Sequence, residues 1–209
     1  MIPIAVLASG RGSNFDAIVN AIEQKTLNAS IVALVSDNPK AAVLDKAKKK
    51  GINTFVVPFK GREKNDELLL KSLSSVSPRF IVLAGYMRII GTQLIEAFRS
   101  KRGALSYSRI TNVHPSLLPA FPGVNSYAQA YRFGVAITGV TVHLVEKEVD
   151  NGPICAQRSF SIQGHRSETE VEKNGLEIEH KLYPETLKWV LKEEFDVEKR
   201  EGRICVRPH

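Results

Sequence analysis

Apolar residues fall in short blocks along this chain, and the blocks alternate between two spacings. Residues 3–9 form a near-continuous apolar run closed by Gly10, which predicts a buried first strand. Phe15, Ile18, Val19 and Ile22 then recur at helical spacing and predict a helix over 15–25. The same alternation continues with a strand at 31–35, a helix at 41–50 stopped by Gly51, and a short strand at 53–57. A helix over 63–75 carries Leu68, Leu69 and Leu73, and a strand follows at 80–84. In the second half, strands are predicted at 109–113, 137–145 and 154–162, with helical spacing over 127–133. A long helix is expected from 167 to 191, interrupted or kinked near Gly175, and then a charged tail with a short strand at 204–206.

Strands without polar-out alternation are covered on both faces. Strands alternating with helices therefore predict an α/β fold: a Rossmann-like open, mostly parallel twisted sheet with helices on both faces. Such sheets bind ligands beyond the carboxyl ends of their strands, so chemistry is expected in the segments just after strands. No repeat is evident and no linker is long enough to separate a pair of domains, so residues 1–209 read as one domain.

The longest apolar runs are too short to span a bilayer, and the first run lacks a preceding basic segment, so it reads as a strand rather than a signal peptide. Two cysteines, Cys155 and Cys205, are too few for a disulfide framework, and a reducing cytoplasm is expected. Cys, His and carboxylate residues show no zinc spacing, and no metal is expected. The net charge of +7 suits anionic partners, but its cations lie in separate groups at 46–50, 99–102 and 199–203. No aromatic residues interleave with them as a base-stacking platform needs, so most of these groups read as solvated faces, with steering of a small anionic substrate the weaker reading and nucleic acid not expected.

Two segments carry candidate chemistry. Ser9-Gly10-Arg11-Gly12-Ser13-Asn14 joins the first strand to the first helix. Glycines permit a sharp turn, helix-start amides attract anions, and Ser13 is a candidate cap and hydroxyl donor. The loop lacks the Lys-Ser/Thr of a P-loop and the third glycine of a dinucleotide fingerprint. Its place in the first strand-turn-helix unit favours phosphate binding over a bare turn. In the second segment, Asn112 and His114 are two apart at a strand end and share one face. An amide donor and an imidazole suit oxyanion and proton chemistry, yet a packed pair without chemistry fits the spacing equally well. Asp150, beside Asn151-Gly152-Pro153, reads from spacing alone as a turn former. His143 reads as packed within a strand, and His180 as structural within the long helix.

Taken in order, SGRGSN at 9–14, AGYMRII at 84–90, NVHPSLLPAFPG at 112–123, GVTVHLV at 139–145, VDNGPI at 149–154 and EHKLYP at 179–184 resemble the folate-dependent formyltransferase family. The glycine loop points within it to the phosphoribosylglycinamide formyltransferases. That resemblance implies formyl transfer from 10-formyltetrahydrofolate to the amine of glycinamide ribonucleotide in purine biosynthesis, by direct amine attack, in a monomer or homodimer. It implies a phosphate-binding half at 1–100, with a catalytic and folate-binding half at 101–209. It also implies that Gly12, Ser13 and Asn14 bind the phosphate and that Glu179 holds the amine or ribose region. Met87, Arg88, Ile90 and Val145 would line the folate pocket, while Asn112, His114 and Asp150 would form the catalytic group.

Asn125 stands where some members carry a second histidine, and Leu176 where the family usually has a polar or basic residue near the phosphate. Residues 100–108 look inserted. Formyltetrahydrofolate hydrolases share the NVHPSLLPAF stretch but lack the glycine loop and normally carry an additional N-terminal domain. Methionyl-tRNA formyltransferases carry a further C-terminal domain, for which little chain follows Leu191. A non-catalytic nucleotide-binding module would share the fold without the Asn112, His114 and Asp150 set.

Overall fold

The computed structural model describes residues 1–209. Its first half repeats strand and helix: β1 (Ile2–Leu7), α1 (Ser13–Glu23), β2 (Ala29–Ser36), α2 (Ala42–Lys49), β3 (Thr54–Val56), α3 (Arg62–Leu73) and β4 (Phe80–Leu83). A short helix α4 (Thr92–Ala97) and a hairpin of β5 (Arg99–Arg102) and β6 (Leu105–Ser108) precede β7 (Ile110–His114). Then come α5 (Ser126–Phe133), β8 (Ile137–Leu144), β9 (Ile154–Ser161), α6 (Glu168–Val190), and a hairpin of β10 (Phe195–Arg200) and β11 (Arg203–Pro208).

Seven strands form the main sheet in the order β3-β2-β1-β4-β7-β8-β9. The first five are mutually parallel, whereas β8 runs antiparallel to β7 and β9 antiparallel to β8. Chain order reverses between β1 and β4, so the loops leaving these neighbours diverge and open a crevice at their carboxyl ends. Helices cover both faces and divide the core in two. Phe15, Ile18 and Val19 of α1 pack with Ile4, Val6, Phe80, Tyr183 and Leu187 on one side. Leu69 and Leu73 of α3 pack with Ala5, Leu7, Ile81 and Leu94 on the other. Successive residues of β1 serve opposite clusters, as the two-residue period of a strand requires. Each large side chain so buried contributes about 1.5–3 kcal/mol.

Three expectations change. α6 runs unbroken through Gly175, whose missing side chain admits the Tyr127 ring: a Cβ there would run into that ring. α6 even accommodates Pro184, whose absent N–H costs about 3 kcal/mol in a helix interior. Burial of the neighbouring Tyr183, Leu187 and Val190 outweighs that cost. The tail forms a full hairpin rather than one short strand. Residues 100–108, seemingly inserted, supply the β5–β6 hairpin, where Tyr107 meets Phe195 of the tail edge to face at 5.1 Å.

Candidate active site

The loops after β1, β4 and β7, together with the β8–β9 connection and α6, enclose a cavity of about 880 Å³. Gly12, Ser13, Asn14, Met87, Arg88, Ile90, Asn112, His114, Val145, Asp150 and Glu179 all line it. They come from five separate segments, and the crossover at β1 and β4 brings those segments to one end of the sheet.

The glycine loop turns through Gly12, at φ 77°, a left-handed conformation in which a Cβ would also strike Val43 of α2. Gly12 thus occupies the position before α1, and Ser13 is the first helical residue, with no side-chain capping bond. This corrects the reading of Ser13 as a cap and leaves its hydroxyl free at the cavity edge. The Asn14 Nδ2 donates at 2.6 Å to Glu179 Oε2, and the Tyr127 hydroxyl donates at 2.7 Å to Oε1. Burial raises the Glu179 carboxyl above its ordinary range, and these two donors offset part of that rise.

After β4, the Met87 N–H donates to Ser9 Oγ at 2.8 Å and links the two loops across the crossover. Arg88 donates to the buried Asp37 at 2.6 Å and lies over the Phe59 ring at 5.3 Å. Ile90 is buried, whereas the Met87 side chain is exposed and offers apolar surface to the cavity. Val145 continues β8, held by its N–H to the Ile110 carbonyl and by the Ser108 hydroxyl on its own carbonyl.

Asn112 and His114 leave β7 on the same face, as their spacing predicts. Asp150, at φ 53°, is both the turn former read from spacing and a partner of the imidazole: its Oδ2 lies 3.3 Å from His114 Nδ1. The same oxygen accepts the Gly123 N–H at 2.7 Å. All three residues thus face one cavity, with the Asp150 carboxylate set against the His114 imidazole.

Residues 2–187 match the formyl transferase family. The phosphoribosylglycinamide formyltransferase of Bacillus subtilis is 40% identical over 190 residues, covering 90% of this chain and 93% of that protein. The chain belongs to the phosphoribosylglycinamide formyltransferase family. The trifunctional purine biosynthetic protein adenosine-3 of Bos taurus is 36% identical over 206 residues, and the chain spans 19% of its length. Glycinamide ribonucleotide transformylase 1 from Symbiobacterium toebii superposes with a TM-score of 0.90 at 32% identity, covering 100% of this chain and 94% of that one.

Against this family background, several cavity residues escaped the sequence reading. His143, read there as merely packed, lies directly across the β7–β8 ladder from Asn112. Its Nδ1 is 2.9 Å from the Leu144 carbonyl, which can only accept, so Nδ1 carries the proton. Burial lowers its pKa and keeps the ring neutral. Its Nε2 lone pair therefore accepts from Asn112 Nδ2 at 3.2 Å. The signal available in the sequence was parity: Thr141 and His143 alternate inward on a strand that must pair with β7. Arg11 and Arg132 also line the cavity, paired with Glu172 at 3.3 Å and Glu168 at 2.5 Å. They bring guanidinium groups to the walls that also contain Leu176 and Asn125. Asn125 itself adopts φ 58° just before α5, a conformation asparagine tolerates better than most residues.

Proposed function

We propose that the chain transfers the formyl group of 10-formyltetrahydrofolate to the amine of glycinamide ribonucleotide. One observation carries the reading: the Asn112, His114 and Asp150 group opens into the same cavity as the Gly12–Asn14 loop and Glu179. A phosphorylated amine could thus be held at one end while its nitrogen reaches the other.

In this reading residues 1–209 act as one domain, with phosphate binding at 1–100 and catalysis and folate binding at 101–209. Amides at the start of α1 receive the phosphate, where the helix dipole favours negative charge. Glu179 orients the amine or ribose. Met87, Arg88, Ile90 and Val145 hold the folate ring. The amine attacks the formyl carbon directly, and charge develops on the formyl oxygen. With one Nδ2 hydrogen committed to His143, Asn112 keeps the other for that oxygen, and such a donor contributes roughly 3 kcal/mol. The His114–Asp150 pair supplies positive charge beside the oxyanion and a route for the proton from the amine to the departing folate nitrogen. No covalent enzyme intermediate is required. Both cysteines are unpaired, in keeping with a reducing cytoplasm.

The test follows loss of the formyl group from 10-formyltetrahydrofolate with and without glycinamide ribonucleotide. Turnover that depends on the amine and yields the formylated amine supports the reading. Equal turnover without the amine assigns a hydrolase instead. His114→Ala should retain the fold while kcat drops by about 100-fold or more, and wild-type turnover in it would remove His114 from the chemistry.

A further inference from the structure

Both ring nitrogens of His114 have protein partners, and the partners differ in kind. Nε2 lies 3.0 Å from the Phe121 carbonyl oxygen and 3.2 Å from Ser126 Oγ. Nδ1 lies 3.3 Å from Asp150 Oδ2. A carbonyl oxygen has no hydrogen to give, so a bond to Phe121 requires the proton on Nε2. Ser126 is consistent with this: its hydroxyl donates to the Gly123 carbonyl at 3.3 Å, which leaves its lone pairs toward Nε2. The Gly123 N–H meanwhile donates to Asp150 Oδ2 at 2.7 Å. Hydrogen bonds from His114 to Ser126, from Ser126 to Gly123 and from Gly123 to Asp150 thus bracket the imidazole, and the Asp150 carboxylate faces Nδ1.

The His114–Ser126 end of this arrangement is buried. His114 is 3% exposed and Ser126 is 0% exposed. Gly123 sits at φ 86°, where a residue with a side chain would be strained. Ser126 is the first residue of α5, so the helix fixes where its oxygen stands. A flipped imidazole would set carbon atoms against Asp150 and Phe121 and leave the Phe121 carbonyl without its donor, at about 1–3 kcal/mol.

We infer that Ser126 and the Phe121 carbonyl are positioning groups that lock the proton of His114 on Nε2, making Nδ1 the only ring nitrogen that exchanges a proton during the reaction. The inference rests on the proposed placement of His114 in formyl transfer. The proton lost by the attacking amine then moves into the Nδ1–Asp150 pair, and the same pair returns a proton to the departing folate nitrogen. The pair begins and ends in one state, and Nε2 keeps its hydrogen throughout. Stabilisation of the oxyanion by the ring comes from the charge it gains when Nδ1 takes that proton and not from an Nε2–H bond, since that hydrogen faces Phe121.

The experiment is a long-range 1H–15N spectrum of the 15N-histidine-labelled full chain, with His114 assigned by its loss in His114→Gln. The expected result is a protonated Nε2 at neutral pH. Ser126→Ala should shift that resonance toward a mixture of tautomers and lower kcat about 10-fold, with KM for both substrates within about two-fold. Ser126→Thr, which keeps the hydroxyl, should restore both spectrum and kcat. An unprotonated Nε2 in the wild-type spectrum overturns the inference. So does a Ser126→Ala protein whose ring spectrum and kcat are unchanged. The wild-type spectrum decides the matter even if Ser126→Ala does not fold. Absence of formyl transfer in the wild-type chain would instead overturn the proposed function, and the spectrum would still read the tautomer.

Discussion

Asn112 is useful only if its nitrogen end, and not its oxygen end, is turned toward developing negative charge. The decision is made one residue away. The Leu144 carbonyl fixes the proton of His143 on Nδ1, burial keeps that ring neutral, and the bare Nε2 then demands a donor from Asn112. Asn112→Asp tests this sequence of constraints. It preserves shape but replaces the donor with an acceptor, and it sets a carboxylate near both the His143 lone pair and Asp150. The expected outcome is a fall in kcat of about 100- to 1000-fold, the size associated with losing one oxyanion donor. His143→Phe should show a smaller loss of kcat in the same steady-state assay, because Asn112 keeps its donors but loses the partner that orients them. A His143→Phe enzyme with unchanged kcat would show that the amide is oriented without help.

The element scale shows what could be read from sequence and what could not. Strands β1, β2, β4 and β7 and helices α1 to α3 follow from apolar spacing because each buries a contiguous stripe or run against its neighbours in the sheet. The glycine loop was legible because Gly12 must take a left-handed conformation where the chain turns from strand to helix. The antiparallel pairing of β8 with both of its neighbours was not legible, since strand spacing carries no direction. His143 was missed for the same reason: its partner is set by cross-strand register. Gly175 was misread because a glycine in a helix suggests a break, whereas here it marks the close approach of α5 to α6. Ordinarily Gly→Ala in a helix gains about 1 kcal/mol. Gly175→Ala should instead destabilise by about 1–3 kcal/mol, because the new methyl group displaces Tyr127. The displaced hydroxyl also leaves Glu179, so KM for the amine substrate should rise. Urea unfolding provides the stability arm, and a second comparison in a Tyr127→Phe background provides the coupling. The loss should shrink there, because the hydroxyl and its bond to Glu179 are already gone. Fully additive losses would mean that the Tyr127 hydroxyl is not what the methyl group disturbs.

At the scale of the whole molecule, the segments least like a repeating strand and helix are tied together by a single carboxylate. Glu193, just beyond α6, accepts from Arg109 at 2.9 and 3.1 Å, from Tyr107 at 2.7 Å, from Ser100 at 3.3 Å and from Arg79. These donors come from the entrance to β4, both strands of the β5–β6 hairpin and the entrance to β7, the strand that ends in Asn112 and His114. Phe195, buried two residues later, packs on Tyr107 and Trp189 at centroid distances of 5.1 and 5.9 Å, so the charged contact has an apolar floor. Burial alone would raise the Glu193 pKa, but the hydrogen bonds from Arg109, Tyr107 and Arg79 prevail and lower it to about 2. A carboxyl whose folded pKa is depressed stabilises the fold fully above its unfolded pKa and loses that contribution as pH falls through the folded value. The relevant window therefore runs from about pH 5 down to about pH 2. Glu193→Gln has no charge to lose at any pH. The gap in stability between wild type and Glu193→Gln should thus be constant from neutral pH to about pH 5, then narrow steadily in more acid solution. Urea midpoints taken at intervals across that range measure the gap. Parallel stability curves down to the acid limit would show that the ionic part of this latch contributes nothing, leaving shape and the apolar contacts of Phe195 to hold the C-terminal hairpin in place.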